Sequence, residues 1–379
     1  MNNKVIIAAA GSGKTTHLIE TALLLRNATI LITTFTDENE KEIRTRFFER
    51  NGCIPSNVVI QTWFSFLLQH GVRPYQGYLY DKNIVGLSLV NSQSALRSRE
   101  TNVERHYLTG DKKIYSDKIA KFACRCDERS NGAVISRLSK IYTHIFIDEV
   151  QDLAGYDLEF LDKLFLSPLE ILLVGDPRQG TFSTNSSAKH KQFRRSNILD
   201  YFKSRKMKFN LDIDSQSLNV NHRCVSEICD FSNKLYPDMI ATTSDNTSEI
   251  EHKGVYFLRQ TDVEEYLQKY SPIQLRQSKS TDTHPAYPTL NFGVSKGLSF
   301  DRVLIYPTKP ILDWIIRGIE LKPTSKCKLY VAITRARYSV AILYDYNDNV
   351  NICGITTVQR NYPIGSVDLN RNHSSDVLV

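Results

Sequence analysis

The sequence predicts an α/β protein built from two parallel-sheet lobes, with a small helical insertion in the first. Two observations lead there. Short apolar runs alternate with amphipathic stretches in the cadence strand, helix, strand, which calls for a parallel sheet covered on both faces. The cadence fades into polar, helical sequence between Gly71 and Lys140, and a second α/β series begins near Phe209.

Each element follows from its pattern. "KVIIAA" reads as a buried strand, "TTHLIETALLLR" as an amphipathic helix, "TILITT" as a second strand and "ENEKEIRTRFFER" as a second helix. "THIFID", the helix "YDLEFLDKLF" and the strand "EILLVGD" continue the series. In the second lobe "GVYFL", "RVLIYP" and "SVAILYD" are strands and "CVSEICDFSNKLY" is a helix. The resulting division assigns residues 1–70 and 140–205 to lobe one, 71–139 to the insertion, 206–345 to lobe two and 346–379 to a polar tail suited to docking.

Composition narrows the class. With 379 residues, 41% hydrophobic and 23% charged, the chain has enough apolar content for several domain cores. No apolar run reaches the roughly 18 residues of a membrane helix, and "VIIAAA" is too short for a signal peptide, so a cytoplasmic protein with no membrane partner is expected. Seven scattered cysteines, with no second pair beside "CRC", read as free thiols. The net charge of +7 favours an anionic partner. The excess concentrates between Lys189 and Lys208, where eight lysines and arginines face the single acid Asp200.

Three motifs carry chemistry. "AAAGSGKTT" stands between a strand and a helix, where backbone amides and the helix N-terminus converge on one anion. Ala10, Gly11, Ser12, Gly13, Lys14, Thr15 and Thr16 would cradle a nucleotide phosphate chain, with Lys14 reaching the β and γ phosphates and the Thr15 hydroxyl ligating Mg²⁺. "HIFIDEVQD" ends a strand in two acids, so that Asp148 can hold the metal shell while Glu149 polarises the attacking water. "LLVGDPRQGTF" places Gln179 on the same sheet edge, within reach of a γ-phosphate.

Read in order, "AGSGKTT", "TTFTDENEKEIRTRF", "QTWFSFL", "FIDEVQD", "VGDPRQ", "NHRCVSEICDFSN", "TLNFGVSKGLSFDRV" and "LYVAITRAR" resemble the motif series of superfamily 1 helicases of the UvrD, Rep and PcrA type. The resemblance implies two RecA-like lobes of P-loop NTPase type and an ATP-driven motor on single-stranded DNA. Lys14, Glu149 and Gln179, with Arg223 and Arg335 presented by the second lobe, match that family's catalytic set. Arginine suits the task because its planar, permanent charge neutralises a transferring phosphoryl group only when the lobes close. His222 matches the position that stacks on the nucleotide base, and Gly297 falls in the nucleotide-binding motif "SKGLSF". Thr34, Phe35 and Thr36, then Thr62, Trp63 and Phe64, match the motifs lining the strand groove, with Phe182 the aromatic nearest a stacking tryptophan of the family. Aromatic stacking there is worth about 1–3 kcal/mol per base. One of Trp63 and Phe64 is expected to pack in the core instead.

The sequence also departs from that family. It begins a few residues before the phosphate loop, Ser299 stands where an acid contacts the ribose, and the stretches Gly71–Lys140 and Tyr236–Thr289 hold little of the family's long insertions. A compact motor follows, resembling the helicase partner of OLD-family nucleases in Gabija-type defence, with DNA repair or a nuclease partner as its setting. Two alternatives stay open: a superfamily 1 RNA helicase of viral type, and a nucleotide-gated DNA-sensing subunit that activates a partner without unwinding.

Overall fold

The computed structural model describes residues 3–185, 187–347 and 350–358. The expected tail lies largely outside the described residues, which stop at Val358. Six parallel strands form the first sheet, in the order Val58–Thr62, Ile30–Thr34, His144–Ile147, Glu170–Gly175, Asn3–Ile7 and Leu211–Asp214. Alternation along each strand divides its side chains between two cores. Val5, Ile7, Leu31, Ile145 and Leu173 join one, while Ile6, Ala8, Ile32, Phe146 and Val174 join the other. Both faces are therefore dry, as a parallel sheet requires.

The helices follow from local signals. Lys14–Leu24 begins at Gly13 in the left-handed region, and Asp37–Asn51 begins at Thr36, whose hydroxyl accepts from Asn39 N at 3.1 Å. That second helix carries Asp37, Glu38 and Glu40 in its first turn and stops at Gly52, consistent with its dipole and a left-handed cap.

One expectation about boundaries meets a different arrangement. Leu211–Asp214, assigned to lobe two, pairs in parallel with Asn3–Ile7 and completes the first sheet. Lys4 holds it there by an ion pair to Asp214 at 3.1 Å. The insertion 71–139 packs on lobe one. Phe122, Ala123, Cys124, Val134 and Leu138, from the helices Ile119–Arg129 and Ala133–Ile141, share a core with Phe66, Leu158 and Phe160.

The second sheet is again six-stranded and parallel, in the order Thr289–Asn291, Ile273–Arg276, Phe300–Tyr306, Ala336–Leu343, Gly254–Leu258 and Thr356–Thr357. Val255, Val303, Ile305, Val340 and Ile342 face one core, and Leu258, Leu304 and Ala341 the other. These are two RecA-like lobes. Between them a two-stranded parallel ribbon, Val220–Val225 with Thr243–Asn246, lies across the phosphate loop. It is held by Ala9 N donating to Leu218 O at 2.8 Å and His222 N donating to Gly11 O at 3.0 Å.

Candidate nucleotide site and strand groove

In a parallel sheet every loop that follows a strand's carboxyl end emerges on one edge, where open α/β sheets place their sites. Ile7, Thr34, Thr62, Ile147 and Gly175 all end there. One interlobe cleft is lined by Gly11, Ser12, Gly13, Lys14 and Thr15 of the phosphate loop, by Asp148, Glu149 and Gln179, and by Arg223, Gly297 and Arg335 of the second lobe. Residues distant in sequence and expected to act together thus share one cavity. Ala10 and Thr16 flank it: Ala10 is buried in the second lobe's core, and Thr16 accepts a hydrogen bond from Arg46 at 3.0 Å.

Gly11 shows why this loop needs glycine. Its φ is +69°, and a Cβ there would stand 2.6 Å from Asn221 Oδ1 and 3.0 Å from Arg223 Cβ. The arginine strand therefore lies directly on the loop. Asn221 orients it by accepting from Arg223 N at 2.7 Å and Cys224 N at 2.8 Å.

Thr15 Oγ1 donates to Asp148 Oδ2 at 3.0 Å, and Glu149 N donates to Asp148 Oδ1 at 2.8 Å. Two hard oxygen donors beside an open cleft fit a magnesium ion, which keeps water and phosphate oxygens as its other ligands. Glu149 adopts φ +54°, ψ +39°, a conformation that costs a non-glycine residue roughly 1–2 kcal/mol and persists only when its surroundings impose it. Here Gln151 imposes it, donating to the Glu149 carboxylate while accepting from Asp176 N at 3.1 Å.

The electrostatics separate the two acids. Burial, with the Glu149 charge beside it, raises the Asp148 carboxyl. Burial acts on Glu149 in the same sense, but the ammonium groups of Lys296 and Lys14 outweigh it and hold that carboxyl ionised. Lys296 comes from the second lobe, 3.4 Å from Glu149 and 2.7 Å from Asp152. Across the cleft, burial and then the neighbouring Arg223 charge lower the Arg335 guanidinium to about 10. Arg335 donates to Gln179 Oε1 at 3.3 Å, and Gln179 donates to Asp176 at 3.0 Å. Lys14, Arg46, Arg223 and Arg335 make the cleft a place for a polyanion. His222 stands at the rim beside Gly13, more than half exposed and 2.7 Å from Asp245, with its ring available to a base.

The strand residues divide. Phe182, 44% exposed, packs on the half-buried Phe35 at 4.8 Å, and these two rings form an aromatic surface beside the sheet edge. Phe64, expected in the groove, is 8% exposed and lies in the core beneath, edge-on to Phe35 at 5.3 Å. Trp63 corrects the expectation for it. It is 1% exposed, packs against Phe66 and Phe160, and donates from Nε1 to Asp157 at 2.7 Å. A base has no access to it in this arrangement. Thr34 is buried, while Thr36 and Thr62 cap helices, Thr62 accepting from Ser65 N at 3.3 Å. Thr184, two residues beyond Phe182, donates to Asp157 at 2.6 Å.

The basic run is partly structural. Lys189 pairs with Glu159, Arg195 donates to Thr324 of the second lobe, and Arg205 pairs with Asp162 at 3.3 Å.

Sequence reasoning passed over four residues. Asn39 and Arg46 line the cleft from the helix after "TTFT". Lys296 lies in the quoted "VSKGLSF", and Arg178 in "GDPRQ". Arg178 is buried and bonded to Asp176 at 2.8 Å, Ala8 O at 3.1 Å and Thr242 at 2.9 Å, and it lies 5.1 Å from the Tyr330 ring centroid. It ties loop, sheet and second lobe together. The motif strings contained these residues, but only distance assigns them partners.

Two RecA-like lobes closing on a phosphate loop, with arginines brought from the far lobe, define a superfamily 1 helicase core, a class of NTP-hydrolysing enzymes. The chain belongs to the family described as the viral superfamily 1 RNA helicase core domain, which it matches over residues 99–344. Residues 1–184 match a family described as an AAA domain. The superfamily read from the motifs is the one matched, and the branch matched is viral rather than the UvrD type. No curated protein matches the sequence. Similar solved structures include the arterivirus nonstructural protein 10 helicase, at 13% identity and TM-score 0.49, covering 91% of this chain and 60% of that one. The same helicase in complex with DNA gives 14% and 0.45, covering 91% and 61%. The PRRSV helicase gives 14% and 0.43, covering 90% and 52%. The chain thus spans only about 52–61% of the length of these structures. No helix among the described residues is long and apolar enough to cross a membrane.

Proposed function

We propose that the protein hydrolyses ATP to move along single-stranded nucleic acid. The observation that carries this reading is the convergence of Lys14, Glu149 and Gln179 with Arg223 and Arg335 on one interlobe cleft. In this reading the loop amides and Lys14 bind the β and γ phosphates, and Glu149, kept ionised by Lys296 and Lys14, takes the proton of the attacking water. Thr15 and Asp148 would hold Mg²⁺, which supplies charge neutralisation at the phosphates when bound. Arg223 and Arg335 hold the developing phosphoryl charge. Gln179, bonded to Arg335, senses loss of the γ-phosphate, so hydrolysis relaxes the lobe contact and shifts the strand held at Phe35 and Phe182.

For the strand, the UvrD-like strings "TTFTDENEKEIRTRF" and "SKGLSFD" favour DNA, with DNA repair or a defence nuclease as the setting. The family match over residues 99–344 favours RNA as the second reading. Steady-state ATP hydrolysis decides, measured without nucleic acid, with single-stranded DNA and with single-stranded RNA, with Lys14→Ala and Glu149→Gln as blanks. Stimulation by DNA alone supports the first reading, and stimulation by RNA alone the second. ATP binding with stimulation by neither strand refutes the autonomous motor and leaves the nucleotide-gated subunit.

A further inference from the structure

Residues 95–105 of the insertion, "ALRSRETNVER", form a concave surface lined by Leu96, Arg97, Ser98, Arg99, Asn102 and Arg105. Arg97, Arg99 and Arg105 are exposed, and no carboxylate pairs with them among the described residues. Three other arginines of the insertion are engaged. Arg125 pairs with Glu100 and Glu128, Arg129 donates to Tyr78 O at 3.0 Å, and Arg137 lies 3.3 Å from His70.

Both acids of the stretch have partners of their own. Glu104 accepts from Tyr80 Oη at 3.2 Å, and half-buried Glu100 pairs with Lys121 at 2.7 Å and Arg125 at 2.9 Å and accepts from Tyr107 Oη at 2.7 Å. Arg99, its chain neighbour, is left facing solvent. Ser98 N donates to Ala95 O and Asn102 N to Arg99 O, both at 3.0 Å, while His106 Nδ1 lies 3.0 Å from Ser98 O. The Asn102 side chain caps the helix Val103–Tyr107 by accepting from Arg105 N at 3.1 Å. The arginines are thus carried on a tied loop, which spares a ligand much of the ordering cost. Leu96, 74% exposed, stands among them as an apolar contact.

The loop is connected to the aromatic surface. Ser94 N and Oγ donate to the Asp117 carboxylate at 3.0 and 2.6 Å, and Asp117 O accepts from Asn185 Nδ2 at 2.9 Å. Asn185 closes the segment that presents Phe182.

We propose that Arg97, Arg99 and Arg105 form a second phosphate-contacting site, which takes the backbone of a single nucleic-acid strand beyond the ring surface of Phe35 and Phe182. The proposal rests on the reading of that surface as the strand groove. Guanidinium forks grip phosphate without regard to base, so this site adds affinity and footprint but no sequence preference.

The test is fluorescence anisotropy of the full chain with single strands of about six and about twenty nucleotides, spanning the footprints common for such grooves. The variants are Phe182→Ala and the triple variant Arg97→Gln, Arg99→Gln, Arg105→Gln. The triple variant should bind the short strand normally and the long strand about tenfold more weakly. Its slope of log affinity against log salt for the long strand should fall by about 2, the release expected from three phosphate contacts. An unchanged long-strand affinity and slope in the triple variant overturns the proposal and leaves the arginines to an acidic protein surface. Loss of both lengths in Phe182→Ala alongside a normal triple variant keeps the groove and removes this site. A wild-type protein that binds neither length overturns both.

Discussion

Lys296→Met, combined with Asp152→Asn, tests whether the second lobe is held to the first by one buried charge. At an effective dielectric of about 20, unit charges 2.7 and 3.4 Å apart attract by roughly 6 and 5 kcal/mol before desolvation. Most of that offsets the cost of burying three charged groups whose side chains are 5–16% exposed. Removing the ammonium alone leaves two acids facing each other with Lys14 as the remaining cation acting on both. Breaking such a pair costs about 3–5 kcal/mol, so Lys296→Met should lower unfolding free energy by about 3 kcal/mol. Asp152→Asn keeps the Lys296–Glu149 pair and should cost about 1–2 kcal/mol. In the double variant one of the stranded charges is gone, so the two losses should fail to add by about 1–2 kcal/mol. Equilibrium unfolding in urea of the four proteins closes the cycle. Additivity within about 0.5 kcal/mol would refute the argument, because the lysine would then be stabilising through something other than these carboxylates.

Three further outcomes are expected. Gly11→Ala forces a Cβ against Asn221 and Arg223 at a positive φ, so it should abolish ATP hydrolysis while far-ultraviolet circular dichroism stays unchanged. Trp63→Phe removes a donor from the buried Asp157 carboxylate and should cost about 1–3 kcal/mol by urea unfolding; strand affinity should not change, and a lost affinity would return Trp63 to the groove. His252 lies between the rings of Tyr256 and Tyr270, and burial, then Arg302 and Lys269, lowers it to about 4. Its unfolded value is near 6.5, so the unfolded chain binds the extra proton between about pH 6.5 and pH 4, and this contribution to stability is lost as pH falls through that window. His252→Gln should therefore lose less stability than the wild type between about pH 7 and pH 5, by roughly 1 kcal/mol after solvent screening.

Much of this molecule is local and was legible as such. Apolar runs such as "KVIIAA" and "EILLVGD" are strands because both sheet faces are covered, and the helix Asp37–Asn51 begins at Thr36 and stops at Gly52, both visible in the sequence. The phosphate loop and the acid pair sit at strand ends because motif spacing and strand length are the same information. Other features depend on what lies across the chain. Leu211–Asp214, half polar and short, is an edge strand whose partner only the first sheet supplies. Trp63 and Phe64 are adjacent aromatics on one short helix, and both go to the core, Trp63 where Asp157 meets its indole from 94 positions away and Phe64 where Phe35 covers it. Lys296 and Arg178 look like ordinary surface cations until the lobes close on them. Residue types and order along the chain determined the two lobes and the chemistry at their edge. The tertiary structure alone decided which charges meet across the cleft and which aromatics are spent on the core, because both are settled by contacts between segments far apart in sequence.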